Sequence, residues 1–288
     1  MFRFHVMTIT VCLMVILGTA LSQAENLRWH TDYGEAHVAS KRGRAMLLIY
    51  FHPAEDDAVA AKFERHTLAD PTVRDGLKRY VLLKLPLTAS VQVDGRRTRL
   101  IEHAAFQHMY GRAGIAVIDH QSNGSAYSGH VVSMFPFSLG SYFAADKMRV
   151  ILDLPPGTLT QRTLIYAVRR RREQPRSAAG TLSGLLTEVS RRHSELQASM
   201  QSQGHHDWST RFHQLNAKLP RSLIAVEVCA ESWPGQQLVP AAEECVYSWR
   251  RSSGHWDRVA ADHPLYAYDM KRGANGIWYA TGIFGSRR

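Results

Sequence analysis

Thiols are scarce in this sequence: Cys12, Cys229 and Cys245 are the only cysteines in 288 residues, and no two are spaced as Cys-x-x-Cys. Lysine is scarce too, 7 residues against 28 arginines, so the net charge of +10 is an arginine charge. Beyond the first two dozen residues no apolar run approaches the ~20 residues of a spanning helix, and no repeat or low-complexity segment appears. These absences exclude a polytopic membrane protein, a solenoid, a fibrous chain and a disulfide-dense miniprotein. What remains is a basic globular chain, 45% apolar, about twice the ~150-residue domain prior. Its charge favours anionic partners.

The start of the chain reads as an export signal. Arg3 and His5 form a short basic segment, Val6 to Leu21 is apolar apart from Thr and Gly, and Ser22-Gln23-Ala24 puts small residues at the −3 and −1 cleavage positions. A signal peptide over residues 1–24 is predicted, and with it an extracytoplasmic, secreted or periplasmic location. The alternative is a retained N-terminal anchor. No transmembrane segment is expected after cleavage, and no cysteine follows the apolar stretch to carry a lipid. Cys12 leaves with the signal, so the mature chain holds two cysteines. In an exported chain that count predicts one Cys229–Cys245 disulfide, worth about 3 kcal/mol for a loop of roughly 15 residues. The alternative is two buried free thiols.

From Glu25 to Pro156 strand and helix patterns alternate. Ala45 to Phe51 is a continuous apolar run of strand length, and the stretch after Pro53 is helical with acids in its first turn. Asp70-Pro71 opens a helix through Lys78, Tyr80 to Leu85 is a strand, and Arg99 to Tyr110 a third helix. Ile115 to Asp119 and Ala126 to Val132 read as strands joined around Asn123-Gly124. Leu154-Pro155-Pro156-Gly157 continues neither helix nor strand, and Thr158 caps a helix from Leu159 through Arg172. Charge divides there too, net +2 over residues 25–156 and +7 over 157–288. The second half has an amphipathic helix from Thr181 to about Gln201, with Leu182, Leu185, Leu186, Val189, His193, Leu196 and Met200 on one face. An extended segment Leu223 to Cys229, a helix Val239 to Arg251 and a terminal hairpin follow. The fold class is α/β.

The order and wording of the first half, Trp29, the strand LLIYF, a DPTV helix leading to YVLLKL, and GIAVID before a hairpin, resemble the thioredoxin-like superfamily over most of residues 25–135. The resemblance implies a redox motif just after the first core strand. Here that turn reads His52-Pro53-Ala54-Glu55-Asp56-Asp57, and the place of the family's cis-proline reads Gly111-Arg112-Ala113-Gly114. Disulfide exchange needs a thiolate, so residues 25–156 are expected to be a redox-inactive thioredoxin-like domain, and an oxidoreductase survives only with thiols borrowed from a partner.

In the second half His205, His206, Glu227 and His255 are two or three imidazoles and a carboxylate, a ligand set suited to zinc or a similar divalent cation. Leu164 to Phe284 resembles the CAP superfamily of extracellular SCP-like domains: an Arg-bearing first helix, a helix with His193 near its middle, GHH after a short loop, a helix ending in Trp249, SSGH, and a closing strand IWYATGIFG. The resemblance implies an α-β-α sandwich over residues 157–288 with a cation-binding cleft. On this pattern His205 or His206 is the first cleft histidine, Glu227 the first glutamate and His255 the second histidine. The place of a fourth member is Ser252. It further implies binding of sterols, lipids or glycans by a cell-envelope or extracellular protein, and the arginine charge adds an anionic envelope polymer as a candidate partner. The alternative is a metal-dependent hydrolase using the same cleft, which needs a metal-bound water and a free carboxylate as base. The run Arg169 to Arg172 reads as solvated surface with one or two arginines paired to acids such as Glu173 or Glu188, or alternatively as a reader of anionic head groups. Nucleic acid is not expected as a partner, since the chain is exported and carries no recognised module for it.

Overall fold

The computed structural model describes residues 27–53, 57–93, 95–138 and 140–288. The predicted signal peptide and the turn residues 54–56 lie outside the described residues. The chain is mixed α/β, with a five-stranded and a four-stranded sheet. In the first half the elements are β1 (Trp29–His30), α1 (Tyr33–Gly43), β2 (Met46–His52), α2 (Ala58–Lys62) running into a wider helical turn over Phe63–Leu68, α3 (Pro71–Leu77), β3 (Tyr80–Pro86), β4 (Ser90–Val93), β5 (Arg96–Arg99), β6 (Gly114–Ile118), β7 (Val131–Pro136) and α4 (Ala145–Leu152). The sheet order is β1-β3-β2-β6-β7, with β1, β3 and β2 parallel and β6 and β7 antiparallel to their neighbours.

Local chemistry starts and stops these elements. β2 is central and apolar on both faces, as a strand covered on both sides must be: Leu48 and Tyr50 face one core, Leu47, Ile49 and Phe51 the other. Asp32 accepts the Glu35 amide at 2.8 Å to cap α1, and Asp70 accepts the Thr72 and Val73 amides ahead of Pro71 at the start of α3. Two expectations fail. Arg99 to Tyr110 is not one helix but two short 3₁₀ pieces, Leu100–Glu102 and Ala104–Met109, because His103 between them is extended; the β4–β5 hairpin that precedes them escaped the reading although Asp94-Gly95 is a hairpin signal. The strand placed at Ala126 starts at Val131, since the Asp119 carboxylate draws in the amides of Gln121 and Ser122 and makes a long loop of the intervening residues.

The second half comprises α5 (Leu159–Arg169), β8 (Thr181–Leu182), α6 (Gly184–Met200), α7 (Trp208–Asn216), β9 (Leu223–Glu231), α8 (Leu238–Arg251), α9 (Ser253–Ala260), β10 (Leu265–Arg272) and β11 (Trp278–Arg287). The sheet order is β8-β10-β11-β9. Alternation along the strands gives the sheet two different faces. Val228, Ala230, Tyr266, Tyr268, Met270, Ala280 and Phe284 pack with the apolar sides of α5 and α8. Ala225, Ala267 and Ile283 pack with Leu186 and Leu215 of α6 and α7. Helices therefore cover both faces.

α5 joins the two halves. Its start is a capping box in which Thr158 and Gln161 satisfy each other's backbone amides, and Arg162 to Val168 are all buried. One apolar core runs from Leu48 and Phe135 of the first sheet through Leu164 and Tyr166 to Val246, Trp249 and Phe284. Within it the Arg162 guanidinium is fully buried and donates to Ser133 Oγ at 2.8 Å and to the carbonyls of Leu154 and Pro155 at 3.0 and 2.7 Å. The link at Leu154 and Pro155 is thus strapped through Arg162 to Ser133 of the first sheet. Among the described residues no helix is long and apolar enough to cross a membrane.

Candidate functional site

The α6 face turned to the sheet is polar. Ser190, His193, Ser194 and Gln197 are buried with Leu186 and Ala198, whereas Leu196 and Met200, placed on the buried face by the sequence pattern, are 39% and 51% exposed. The polar stripe has matching partners: Ser194 Oγ donates to the Asp269 carbonyl at 3.0 Å, and Gln197 Nε2 to Thr281 Oγ1 at 2.9 Å. Leucine periodicity alone misplaced the face by part of a turn.

Glu227, on β9, points into this polar layer, and its carboxylate is 0% exposed. Arg211 of α7 grips it with both guanidinium nitrogens, Nη1 on Oε2 and Nη2 on Oε1, the latter at 2.9 Å. His205 Nδ1 lies 2.9 Å from Oε1 and His193 Nδ1 3.4 Å from Oε2. Burial alone would push the Glu227 carboxyl up, but hydrogen bonds from His205 and Arg211 outweigh it and hold the group below its ordinary value. An ionised carboxylate only accepts, so His205 carries its proton on Nδ1 and turns a lone pair outward from Nε2.

That lone pair faces His255. The two Nε2 atoms are 3.3 Å apart and the rings are stacked at 5.6 Å between centroids. His255 stands in the first turn of α9, which opens directly after α8 ends at Arg251. Burial and the neighbouring His205 both disfavour its charged form. Arg211 is positioned by the loop before it: its Nε and Nη2 donate to the His206 carbonyl at 3.1 and 2.8 Å, and Asp207, at φ 55°, turns the chain sharply into α7.

Of the four predicted cleft residues, three converge. His206 does not: its Nε2 binds the Ser202 carbonyl at 3.0 Å and its ring lies beside His193, so it serves through its backbone. Glu227 converges but in another role, since Arg211 and His205 occupy its oxygens and it orients His205 instead of ligating beside the two imidazoles. The expected disulfide is corrected: Cys229 and Cys245 are both free and buried. Cys229 shares the polar face with Thr281, its partner across the ladder, while Cys245 on α8 lies on the other face near the Trp278 carbonyl, so the sheet separates them. Burial and the nearby Glu227 raise the Cys229 thiol well above its ordinary value and so favour its neutral form.

The sequence did not single out Arg211, Thr281 or Gln197, and placed His193 on an apolar stripe and at the middle of a CAP-like helix without assigning it to the cleft. The one available signal was an arginine in the first turn of the helix after GHH. The arginine run is largely neutralised: Arg169 pairs with Asp153, Arg170 with Glu243 and Arg171 with Glu173 as expected, while Glu188 serves Arg191 and Arg192 instead. His52 at the end of β2 contacts the Pro53 carbonyl through Nδ1 and lies beside the Tyr50 ring.

No family model and no curated protein matches the chain. Among solved structures, an outer surface protein from Borrelia burgdorferi is similar at 16% identity, over 38% of this chain and 78% of that one, with a TM-score of 0.31.

Proposed function

We propose that this is an extracytoplasmic binding protein, a redox-inactive thioredoxin-like domain followed by a CAP-like domain, whose cleft takes a divalent cation such as zinc between His205 and His255. The carrying observation is the 3.3 Å separation of the two Nε2 atoms. Two imidazoles bound to one tetrahedral ion at ~2.05 Å stand about 3.3 Å apart. A carboxylate behind the first imidazole, here Glu227 on His205 Nδ1, is the usual way to fix such a ligand's tautomer. The strand order β1-β3-β2-β6-β7 and the absence of any thiol from residues 25–156 support the reading of the first domain, and the helix-covered sheet supports that of the second.

Two protein ligands leave the remaining coordination positions open to a ligand's oxygens. An anionic envelope polymer, lipid head group or glycan therefore binds through the cation more than through the arginine run, in which Arg169, Arg170 and Arg171 are each paired with an acid. A hydrolase using Glu227 as general base is disfavoured in this reading, because Arg211 and His205 occupy that carboxylate.

Zinc titration by calorimetry tests it. At pH 7.5 one bound equivalent should be lost in His205→Ala and in His255→Ala, with affinity falling as the pH is lowered and protons compete for the imidazole nitrogens. Unchanged zinc affinity in both variants would refute the cleft.

A further inference from the structure

Behind the His205–His255 pair lies a second group of donors, of which the cleft uses only Glu227. His193 Nδ1, a Glu227 carboxylate oxygen and Cys229 Sγ, all on buried residues, lie within 4.8 Å of one another. Around His193 Nδ1 stand Thr281 Oγ1 at 3.2 Å, Glu227 Oε2 at 3.4 Å and Cys229 Sγ at 3.8 Å, more partners than one ring nitrogen satisfies, while His193 Nε2 is buried without any hydrogen-bond partner. Cys229 Sγ is also 3.7 Å from His205 Nδ1, and His205, its side chain 41% exposed, borders the group on the solvent side.

We propose that His193, Cys229 and Glu227 form an inner site for a thiophilic divalent cation of the zinc class. Around one tetrahedral ion a thiolate at ~2.3 Å and an imidazole at ~2.05 Å stand about 3.6 Å apart, and an imidazole and a carboxylate oxygen about 3.4 Å. The observed separations, 3.8 and 3.4 Å, are close to those already. Thiolate and carboxylate together neutralise a divalent ion, with Arg211 remaining on Glu227. On binding, the thiol proton leaves to solvent, sulfur and His193 Nδ1 bond to the metal, and the imidazole proton resides on Nε2. Thr281 Oγ1 or water completes the shell. Magnesium and calcium are excluded, since both demand a shell of oxygen ligands. The inner site shares Glu227 with the cleft but does not involve His255.

Cobalt, a spectroscopic substitute for zinc, provides the test on the chelator-treated full chain. Cobalt binding should produce a near-ultraviolet thiolate-to-cobalt charge-transfer band. The band should vanish in Cys229→Ser, persist in Cys245→Ser and His255→Ala, and need at least about tenfold more cobalt in His193→Asn. A wild-type spectrum without the band overturns the proposal, whether or not any variant folds, and so does a band that survives Cys229→Ser. The two sites fail separately: cobalt bound without a thiolate band and lost in His255→Ala leaves the cleft standing alone, whereas a thiolate band with cobalt binding indifferent to His255→Ala leaves only the inner site.

Discussion

At the scale of single residues the site turns on one buried carboxylate. Glu227 is ionised in a layer from which water is excluded because Arg211 and His205 bind it, and an ion pair so placed costs more to break than its net contribution. Glu227→Gln should therefore lose about 3–5 kcal/mol in urea denaturation at unchanged m, by leaving the Arg211 guanidinium uncompensated. Glu227→Gln/Arg211→Leu should recover part of the loss; a double variant no more stable than the single one would contradict the pairing. His193 gives a pH signature. Burial pushes it down to about 4 from 6.5, so the folded state holds it neutral while the unfolded chain takes up a proton. Its contribution is complete above pH 6.5 and disappears as pH falls to 4, about 3 kcal/mol in all. Glu227, also depressed, adds loss below 4.5. His108, His120 and His263 are lowered by burial and act in the same direction, so the decisive quantity is the difference between the chelator-treated protein and His193→Gln. The variant's stability should decline less between pH 6.5 and 4, and an equal decline would contradict it.

Elements were legible where local chemistry decides them. The apolar run of β2, the Asp70-Pro71 start of α3 and the Thr158 cap of α5 each carry their own signal within a few residues. Facing was not legible. The buried stripe of α6 is polar because Thr281 and the Asp269 carbonyl meet it, and those residues lie some 75 to 88 positions away in sequence. The disulfide expectation failed for the same reason: two cysteines 16 residues apart look pairable until the alternation of β9 turns Cys229 to the face of the sheet opposite α8, which carries Cys245. Without reductant, both Cys229 and Cys245 should react with a thiol reagent once the protein is denatured, and reductant should leave the melting temperature unchanged. Absence of free thiol would contradict this register. His205, Glu227 and His255 were identifiable by residue type, whereas Arg211 was not, since an arginine on a surface helix has no mark until Glu227 is seen opposite it.

The whole molecule is expected to unfold as one cooperative body, because α5 joins its two halves. Its apolar side is common to both sheets, and Arg162 ties Ser133 of the first sheet to the link at Leu154 and Pro155. Tryptophan fluorescence reports mainly on the second half, which holds five of the six tryptophans, while far-ultraviolet circular dichroism reports on all elements. The two transitions should coincide in urea. Arg162→Ala should lower stability by about 3–5 kcal/mol, through lost packing and three acceptors left unpaired in the core. Separate transitions in the wild type would mean two independent domains.

The central claim is that His205 and His255 hold a cation in common. Anomalous scattering at the zinc edge from crystals soaked in zinc measures this directly. A peak within ~2 Å of both Nε2 atoms, with the His205 Nδ1 contact to Glu227 intact, is the expected result. A zinc-soaked crystal with no peak there, and the two Nε2 atoms still in direct contact at 3.3 Å, would contradict it.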